Sequence, residues 1–405
     1  MLTQRADLTF KHNLKQGRHG WLRLTPAYSI RVVGEILDQI ENPGRVLDPF
    51  CGTGTTGLVC AERGLACDLI ELNPFLAWFA IAKTRNYAPA ETAAARQLVK
   101  DVVTQYQKTN GTGLGWVPSI HRIDRWWSDE RLRVLSHLFQ AIQINASAPT
   151  PAIDLLKIAF CRLLIDWSNA AFNHQSMSFK ETAPTLFGAD EQTLMLEAFR
   201  SSALAVLQAA ETPLPGQAHI YAGDAREAGA IALGPYTTVI TSPPYPNRMS
   251  YIRELRPYMY WLGYLADGRE AGELDWQAIG GTWGIATSRL QQWQANGAVV
   301  EHAGFADMID RIGQSSSVLA RYVHKYFIDI AQHLLSLKKV LAPGAHVHYI
   351  VGNSKFYDTL VSVEQIYASL FRQMGFDNVQ IKTLRKRNSK KELIEFCVEA
   401  RYPGA

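Results

Sequence analysis

The 405-residue sequence is poor in cysteine and has no paired cysteines. Its five cysteines are scattered, with no Cys-x-x-Cys pair and no spacing typical of a metal site. An odd, scattered set argues against the disulfide framework of a small secreted protein. The sequence therefore predicts neither disulfides nor a bound metal. The five are Cys51, Cys60, Cys67, Cys161 and Cys397.

Long uncharged apolar runs are also lacking, and residues 1–15 are polar, without the apolar core of a signal peptide. We therefore expect no membrane span and a cytoplasmic protein. Neither sign of charge is in large excess, since 41 basic and 37 acidic side chains leave a net charge of only +4. A nucleic-acid surface would have to come from local clusters of basic residues.

Strand and helix patterns alternate near the start of the chain. Residues 45–47 form a predicted buried strand, residues 55–63 a helix and residues 66–70 a second strand, with a helix over 26–40 before them. This strand–loop–helix–strand order indicates a parallel α/β unit with a right-handed crossover.

A mostly helical region then interrupts the alternation, with apolar stripes over 130–144, 153–171 and 191–210. Strands resume at 219–221 and 237–241. Later we expect an irregular segment rich in Gly and Trp over 263–305, a helix over 316–341, a strand over 346–351, a helix over 363–375, and a hairpin of strands over 379–383 and 393–400.

Residues 48–57 read Asp-Pro-Phe-Cys-Gly-Thr-Gly-Thr-Thr-Gly and join the first strand to its helix. Glycines allow the backbone to approach a ligand closely, and a helix N-terminus favours negative groups. Glu71 ends the next strand, where a carboxylate can accept hydrogen bonds from both hydroxyls of a ribose. The pattern predicts a nucleotide-like cofactor, with a tight strand-to-helix turn as the structural alternative.

Residues 242–245, Ser-Pro-Pro-Tyr, follow a β-branched strand at the sheet edge where α/β proteins bind ligands. The prolines fix the backbone and remove two N–H donors, which leaves carbonyl oxygens to accept hydrogen bonds from a ligand amine. The Ser242 oxygen can accept a second bond, and the Tyr245 ring can stack on a flat ring. Two acceptors favour a pyramidal nitrogen whose lone pair can attack a methyl group held in line. A plain proline turn is the alternative.

These segments resemble motifs of the S-adenosylmethionine-dependent DNA amino-methyltransferases, which modify cytosine N4 or adenine N6. Residues 49–54 resemble the cofactor motif of that family, and residues 71–74 resemble its next motif. Asp224 matches the position that usually contacts the adenine amine of the cofactor. Serine at position 242 favours cytosine N4, and tyrosine at 245 disfavours the cytosine-C5 enzymes, which need a cysteine there. Many cytosine-N4 enzymes have the two motifs in reverse order, so the choice of base stays open.

The resemblance implies an α/β fold, namely a Rossmann-like methyltransferase fold with a mixed seven-stranded sheet and a large helical insertion. Residues 1–85 would form the cofactor half of the core, 86–215 the helical insertion and candidate target-recognition region, and 216–405 the base-binding half with its irregular insertion. The implied base-holding residues are Ser242, Pro243, Pro244 and Tyr245. The implied cofactor residues are Asp48, Pro49, Phe50, Cys51, Gly52, Gly54, Thr55, Glu71, Asn73, Asp224, Ala225 and Thr241.

The implied reaction is methyl transfer to cytosine N4 in DNA, with adenine-N6 DNA or RNA base-amine methylation as alternatives. The target base must be flipped out of a duplex, and a restriction endonuclease acting on the same site is an expected partner. Residues 384–391 carry five basic side chains and no acid, and the basic N-terminus is a second candidate phosphate contact. The candidate DNA-binding residues are Arg385, Lys386, Arg387, Lys390, Lys391, Asn247 and Arg248.

Overall fold

One mixed sheet organises the part of the chain that the computed structural model describes. Its central strands are parallel, and β11 is antiparallel to both of its neighbours, β7 and β10. The described residues are 5–24, 27–108, 113–146, 148–171, 178–179, 190–247, 250–282, 284–387 and 392–404. The strands are β1 (Val46–Asp48), β2 (Ala66–Glu71), β3 (Ala170–Ala171), β4 (Ser178–Phe179), β5 (Gln217–Ala222), β6 (Tyr236–Thr241), β7 (Leu341–Gly352), β8 (Ser354–Phe356), β9 (Thr359–Val361), β10 (Asp377–Lys386) and β11 (Ile394–Arg401).

The seven-stranded sheet runs in the order β10-β11-β7-β6-β1-β2-β5, while β3 pairs only with β4 and β8 only with β9. The chain starts at β1 in the middle, builds outward through β2 and β5, and then returns to β6 on the other side. The predicted α/β class with a Rossmann-like methyltransferase sheet is thereby confirmed. The change of direction between β1 and β6 creates a crevice at their carboxyl ends.

Helices cover both faces of this sheet because successive strand residues point to opposite sides. Val46 packs in the cluster that contains α2 and α3, whereas Leu47 packs in the cluster that contains α15 and α16. The helices are α1 (Phe10–Asn13), α2 (Ile30–Leu37), α3 (Thr55–Glu62), α4 (Pro74–Thr84), α5 (Pro89–Lys108), α6 (Ile123–Trp126), α7 (Asp129–Asn145), α8 (Pro151–Asp166), α9 (Glu191–Ala210), α10 (Ala228–Ile231), α11 (Tyr251–Trp261), α12 (Gly268–Gln277), α13 (Ile285–Gln292), α14 (Phe305–Ser315), α15 (Ser317–Leu337) and α16 (Val363–Gln373).

The large helical insertion is also confirmed. Helices α5, α7, α8 and α9 lie between β2 and β5 in the chain and share one hydrophobic cluster with α4 and α11. Trp126 and Trp127 are buried in it. Among the described residues, no helix is both long and apolar enough to span a membrane.

Arg18 links this insertion to the core through hydrogen bonds. Its buried guanidinium donates to the carbonyls of Ala210 and Thr212 at the end of α9, at 2.7 Å each, and to that of Arg85 after α4, at 2.5 Å. The expectation that the basic N-terminus contacts phosphates is therefore wrong for Arg18. His19 beside it is buried as well, with its Nε2 3.2 Å from Glu62.

The prediction that residues 263–305 are irregular is wrong. The segment contains α12 and α13. The Asp267 carboxylate caps α12 by accepting from the backbone N–H groups of Arg269 and Glu270 at 2.8 and 2.9 Å. The prediction relied on the high Gly and Trp content of the segment, and composition does not reveal where a helix begins. The capping aspartate is the local signal that marks the start.

Several predicted ends also differ from the observed ones. The first long helix begins at Ile30 rather than at 26, because Ser29 caps it by accepting from the Arg31 N–H at 3.2 Å. Helix α8 ends at Asp166 instead of continuing to 171, and β7 begins at Leu341 rather than 346. The predicted helix over 316–341 ends earlier, at Leu337.

Candidate active site

A cavity of about 1170 Å³ opens at the carboxyl ends of β1, β2 and β6. It brings together the two segments singled out in the sequence, the glycine loop and the Ser-Pro-Pro-Tyr turn. Asp48 and Thr241, predicted as cofactor residues, are fully buried rather than lining it. The predicted residues that line it are Pro49, Phe50, Cys51, Gly52, Thr55, Glu71, Asn73, Asp224, Ala225, Ser242, Pro243, Pro244, Tyr245, Asn247, Arg385 and Arg387.

The glycine loop is fixed to the end of β2 through Glu71. The Gly52 N–H donates to Glu71 Oε2 at 2.7 Å, and the Asn73 N–H donates to Oε1 at 2.8 Å. Gly52 has a φ of 52° and a Cβ there would meet nothing within 4 Å, so the loop is open where it borders the cavity. Burial raises the pKa of Glu71 to about 7. Each carboxylate oxygen keeps a lone pair that can accept from a ligand hydroxyl.

Gly54 lets the end of the loop pack closely against the core. Its φ of 71° lies in the left-handed region, and a Cβ there would lie 3.1 Å from the Ala80 Cβ. Helix α3 begins at the next residue, Thr55, which lines the cavity. The positive end of α3 therefore meets the cavity wall, where it favours a negatively charged group.

Asp48 joins the two halves of the site from behind. Its Oδ1 accepts from the Phe50 N–H at 3.1 Å and from the Thr241 hydroxyl at 2.6 Å, and its Oδ2 accepts from the Tyr28 hydroxyl at 3.2 Å. Burial raises the pKa of Asp48, and these hydrogen bonds oppose that rise. The carboxyl group thus holds the start of the glycine loop beside the end of β6, and the predicted role in direct cofactor contact stays a prediction.

Asn73 and Asp224 line the cavity but already have local partners. Asn73 caps α4 by accepting from the Phe75 N–H at 3.0 Å. Both Asp224 oxygens accept from Arg226, with Nε at 3.1 and 3.0 Å. Arg226 also pairs with Asp329 at 3.1 Å. A cofactor amine would share the Asp224 carboxylate with this arginine.

Two buried basic side chains that the sequence reasoning missed support the cofactor side. Lys83 Nζ donates to the Thr53 carbonyl at 3.0 Å, and burial lowers the pKa of Lys83 to about 7. His333 lies edge-on to Phe50 with ring centroids 4.7 Å apart, and burial lowers its pKa to about 4. In the sequence, Lys83 could have been recognised as a lone lysine in the otherwise apolar helix α4. No sequence pattern pointed to His333.

The Ser-Pro-Pro-Tyr turn is held from the opposite wall. The Tyr326 hydroxyl donates to the Pro244 carbonyl at 2.7 Å and lies 2.9 Å from the Tyr367 hydroxyl. The expectation that the turn leaves its carbonyl oxygens to a ligand amine is therefore wrong for Pro244. Within the described part of the chain, the Pro243 carbonyl accepts no hydrogen bond, and Pro243 is one of the residues that line the cavity. It is therefore a candidate backbone acceptor for a ligand amine.

The closing hairpin supplies arginines to this side of the cavity. Arg385 forms two hydrogen bonds with the buried carboxylate of Glu395, at 2.7 and 3.1 Å. Arg387 lies over the Tyr245 ring at 5.4 Å and donates to the Asn353 carbonyl at 3.0 Å. These arginines therefore build the cavity wall, and their predicted contact with DNA stays a prediction.

Other candidate DNA contacts lie at different places. Lys386 is half-buried in the hairpin and does not line the cavity, whereas Asn247 does. Arg248, Lys390 and Lys391 lie outside the described residues. Arg253 also lines the cavity, and its Nε is buried without a hydrogen-bond partner among the described residues. Sequence reasoning gave no signal for this buried donor.

His348, Cys397 and Glu399 form a cluster on β7 and β11, with ligand-type atoms within 4.8 Å of one another. None of them lines the cavity. The ammonium of Lys382 lies 2.7 Å from the Glu399 carboxylate and already neutralises it. We assign this cluster no part in the site.

The sheet order and the flanking helices are those of a Rossmann-like methyltransferase fold. No protein-family model matches the chain. The chain is similar to the Type II methyltransferase M.AvaI of a Nostoc species and of Anabaena variabilis, at 21% identity over 462 residues, covering 96% of this chain and 86% of the relative. It is also similar to the Type II methyltransferase M.BsoBI of Geobacillus stearothermophilus, at 20% identity over 445 residues, covering 96% of this chain and 85% of the relative. These relatives support a methyltransferase enzyme.

Among solved structures, the rRNA methyltransferase aviRa of Streptomyces viridochromogenes matches with a TM-score of 0.31 and 12% identity, covering 96% of this chain and 92% of that chain. We draw no inference about this chain from a TM-score this low.

Proposed function

We propose that this protein transfers a methyl group from S-adenosylmethionine to the exocyclic N4 amine of cytosine in DNA. The observation that carries the proposal is the single cavity lined by both the glycine loop and residues 242–245. Its volume of about 1170 Å³ exceeds the ~300–1,000 Å³ of pockets for one small ligand. The space therefore suits a cofactor and a flipped base side by side.

The cofactor side fits S-adenosylmethionine in its donor set. Glu71 retains lone pairs for two ribose hydroxyls, and the space at Gly52 is open. The positive end of α3 suits the carboxylate of an amino-acid tail. When bound there, the sulfonium supplies an electrophilic methyl group.

The base side suits an amine on a flat ring. The Pro243 carbonyl and the Ser242 hydroxyl are candidate acceptors for the two amine hydrogens, and Tyr245, which also lines the cavity, is the candidate for stacking on the base. Holding both hydrogens would draw the nitrogen lone pair out of conjugation with the ring and aim it at the methyl group. Positioning of this kind supplies the rate enhancement, and water can take the proton afterwards.

DNA is the favoured substrate because the relatives are named Type II methyltransferases. Residue 242 is a serine, which favours cytosine N4 over adenine N6 by the family resemblance. A duplex target would require base flipping, because a paired amine cannot reach the cofactor. A restriction endonuclease acting on the same site is the proposed partner.

The test is transfer of labelled methyl groups from S-adenosylmethionine to duplex DNA, with structured RNA as competitor. We expect Ser242→Ala to lower the transfer rate by about 100-fold or more, as loss of a preorganised catalytic hydrogen bond does, while cofactor and DNA affinities stay unchanged. The exposed Ser201 on α9 provides the control variant Ser201→Ala, which should retain full activity. Incorporation into RNA alone, or full activity in Ser242→Ala, would contradict the proposal.

A further inference from the structure

The carboxylate of Asp224, which lines the cavity just after β5, is held in place by Arg226. The Arg226 backbone N–H donates to Asp224 Oδ1 at 2.9 Å. Its Nε donates to both carboxylate oxygens, at 3.1 and 3.0 Å, and its Nη2 donates to Oδ2 at 2.5 Å. Arg226 is not one of the residues that line the cavity. It therefore acts on Asp224 from outside the space that a ligand would fill.

Two further elements hold the same guanidinium. Its Nη1 donates to Asp329 in α15 at 3.1 Å, and its Nη2 also donates to the carbonyl of Gln277, the last residue of α12, at 2.7 Å. The other oxygen of Asp329 accepts from Lys325 at 2.6 Å. Four of the five N–H donors of the guanidinium thus have an acceptor. The planar group cannot turn without breaking bonds to both helices.

The bond to Gln277 also joins Arg226 to a second part of the cavity wall. Ala278 and Ile279, the two residues that follow Gln277, line the cavity together with Asp224. A purine with an exocyclic amine needs apolar wall residues for its ring and a well-placed acceptor for its amine. One arginine therefore fixes both kinds of group relative to each other.

The hydrogen bonds leave Asp224 with room for one more donor. An ionised carboxylate offers about four lone pairs. Arg226 fills three of them with its backbone N–H, its Nε–H and one Nη2–H, since the Nε–H is shared between the two oxygens. The remaining lone pair belongs to Oδ2. A ligand amine in the cavity thus has one acceptor available on this carboxylate.

Fixing the carboxylate favours amine binding. Without Arg226, the Asp224 side chain could rotate and be hydrated more fully, and a ligand would have to immobilise it on binding. Immobilising one such side chain weakens affinity by up to about tenfold. A carboxylate that is already held avoids this loss.

We infer that Arg226 is a positioning residue that fixes the Asp224 carboxylate as acceptor for the exocyclic amine of the cofactor's adenine. It thereby makes the site selective for an aminopurine. The inference rests on the proposed function, because it needs S-adenosylmethionine in the cavity with its adenine at Asp224. It gives the ion pairs between Arg226 and α15 a role in the choice of ligand.

Two ligands that differ only in the amine test the inference. They are S-adenosylhomocysteine and its analogue with hydrogen in place of the adenine amine. Calorimetry should show that the wild-type protein binds S-adenosylhomocysteine at least about tenfold more tightly, as for a hydrogen bond to a charged group. Arg226→Lys keeps the charge, but one nitrogen cannot span the partners of the planar fork. We expect about tenfold lower affinity for S-adenosylhomocysteine and nearly unchanged affinity for the analogue, so that their ratio approaches one.

Arg289→Lys is the matched control, since Arg289 pairs with Glu273 in α12 at 2.7 Å rather than with Asp224. It should keep the wild-type ratio of affinities. Arg226→Lys should fold, because Asp329 retains Lys325 as its partner. An equal loss of affinity for both ligands would indicate a merely structural role and would overturn the inference. A ratio that stays unchanged or rises in Arg226→Lys would overturn it as well, as would a ratio near one in the wild-type protein.

Asp329→Asn provides a second test, because it removes the charge that holds Nη1 and leaves Asp224 and Arg226 in place. We expect a smaller drop in the ratio than in Arg226→Lys, and the two drops should not add in the double variant. Drops that add would contradict a shared action through Arg226. If the protein methylates DNA while Arg226→Lys keeps the wild-type ratio, the inference fails and the proposed function stands. If the wild-type protein neither binds S-adenosylhomocysteine nor transfers a methyl group, the proposed function itself fails.

Discussion

The two sides of the cavity are built in different ways. The cofactor side is built mainly on one stretch of chain, β1, the glycine loop, α3 and β2, within which Gly52 donates to Glu71. Lys83, Asp224 and His333 join it from other elements. The base side is assembled from segments far apart in sequence. The Ser-Pro-Pro-Tyr turn is held by Tyr326 in α15 and by Glu395 in the closing hairpin.

The two sides therefore differ in the groups that hold their residues in place. On the cofactor side, the carboxylates of Asp48 and Glu71 and the ammonium of Lys83 hold the loop through its backbone groups. On the base side, the side chains of Tyr326 and Glu395 hold a turn whose Pro243 carbonyl accepts no hydrogen bond within the described residues. A substitution on one side should therefore leave the function of the other side unchanged, except at Asp48, which contacts both sides.

Asp48→Ala should have the largest effect, because it breaks the link between the two sides. It leaves the Phe50 N–H and the Thr241 and Tyr28 hydroxyls without their acceptor. We expect a loss of on the order of 3 kcal/mol in the free energy of unfolding, measured by denaturant titration. Cofactor affinity and methyl transfer should fall together. Asp38→Ala, at an exposed ion pair with Arg63, should change stability by less than ~1 kcal/mol. A stable Asp48→Ala protein with normal cofactor affinity would contradict this role.

Glu71→Ala should act on the cofactor side alone. It removes the acceptor for Gly52 and Asn73 and for the proposed ribose contacts. We expect cofactor affinity, measured by calorimetry, to fall by about 100-fold, as for loss of hydrogen bonds to a charged group. DNA affinity should remain unchanged, as it should in the control Glu41→Ala, at an exposed site. An equal loss of DNA affinity would show that the sides are not separable.

The pH dependence of cofactor binding should give a smaller effect. Burial raises the pKa of Glu71 to about 7 in the free protein. The carboxylate form accepts two ligand hydroxyls, and it predominates above pH 7 and is lost as pH falls. We expect cofactor affinity to fall by up to about tenfold per pH unit below 7 and to level off above it. Glu71→Gln should remove this slope, and a slope that persists in the variant would assign it to another group.

The sequence predicted the strands and the helix on the cofactor side well because their determinants are local. The end of β1, the two glycines with positive φ and the acidic end of β2 lie within 26 positions of one another, from Val46 to Glu71. The first parallel α/β unit and the helical insertion followed from alternation and apolar stripes. Local signals also set most helix ends, and the errors came at capping residues such as Ser29 and Asp267.

The supports of the base side could not be predicted, because each depends on contacts between distant parts of the chain. Tyr326 reaches Pro244 across 82 positions, and Glu395 reaches Tyr245 across 150. The basic stretch around Arg385 predicted a DNA contact, which stays a prediction, and gave no sign that Arg385 pairs with Glu395 at the cavity wall. Charge composition alone does not show which arginine has a buried partner.

The measurement that tests the central claim most directly identifies the methylated nucleoside. DNA from cells that express the protein would be digested to nucleosides and compared with DNA from cells that express Ser242→Ala, with modification-sensitive sequencing to locate the site. The account predicts N4-methylcytosine at one recurring sequence in the first sample and none in the second. N6-methyladenine instead would contradict the choice of base. The absence of any new methylated base in DNA, with folded protein that binds the cofactor, would contradict the proposed function.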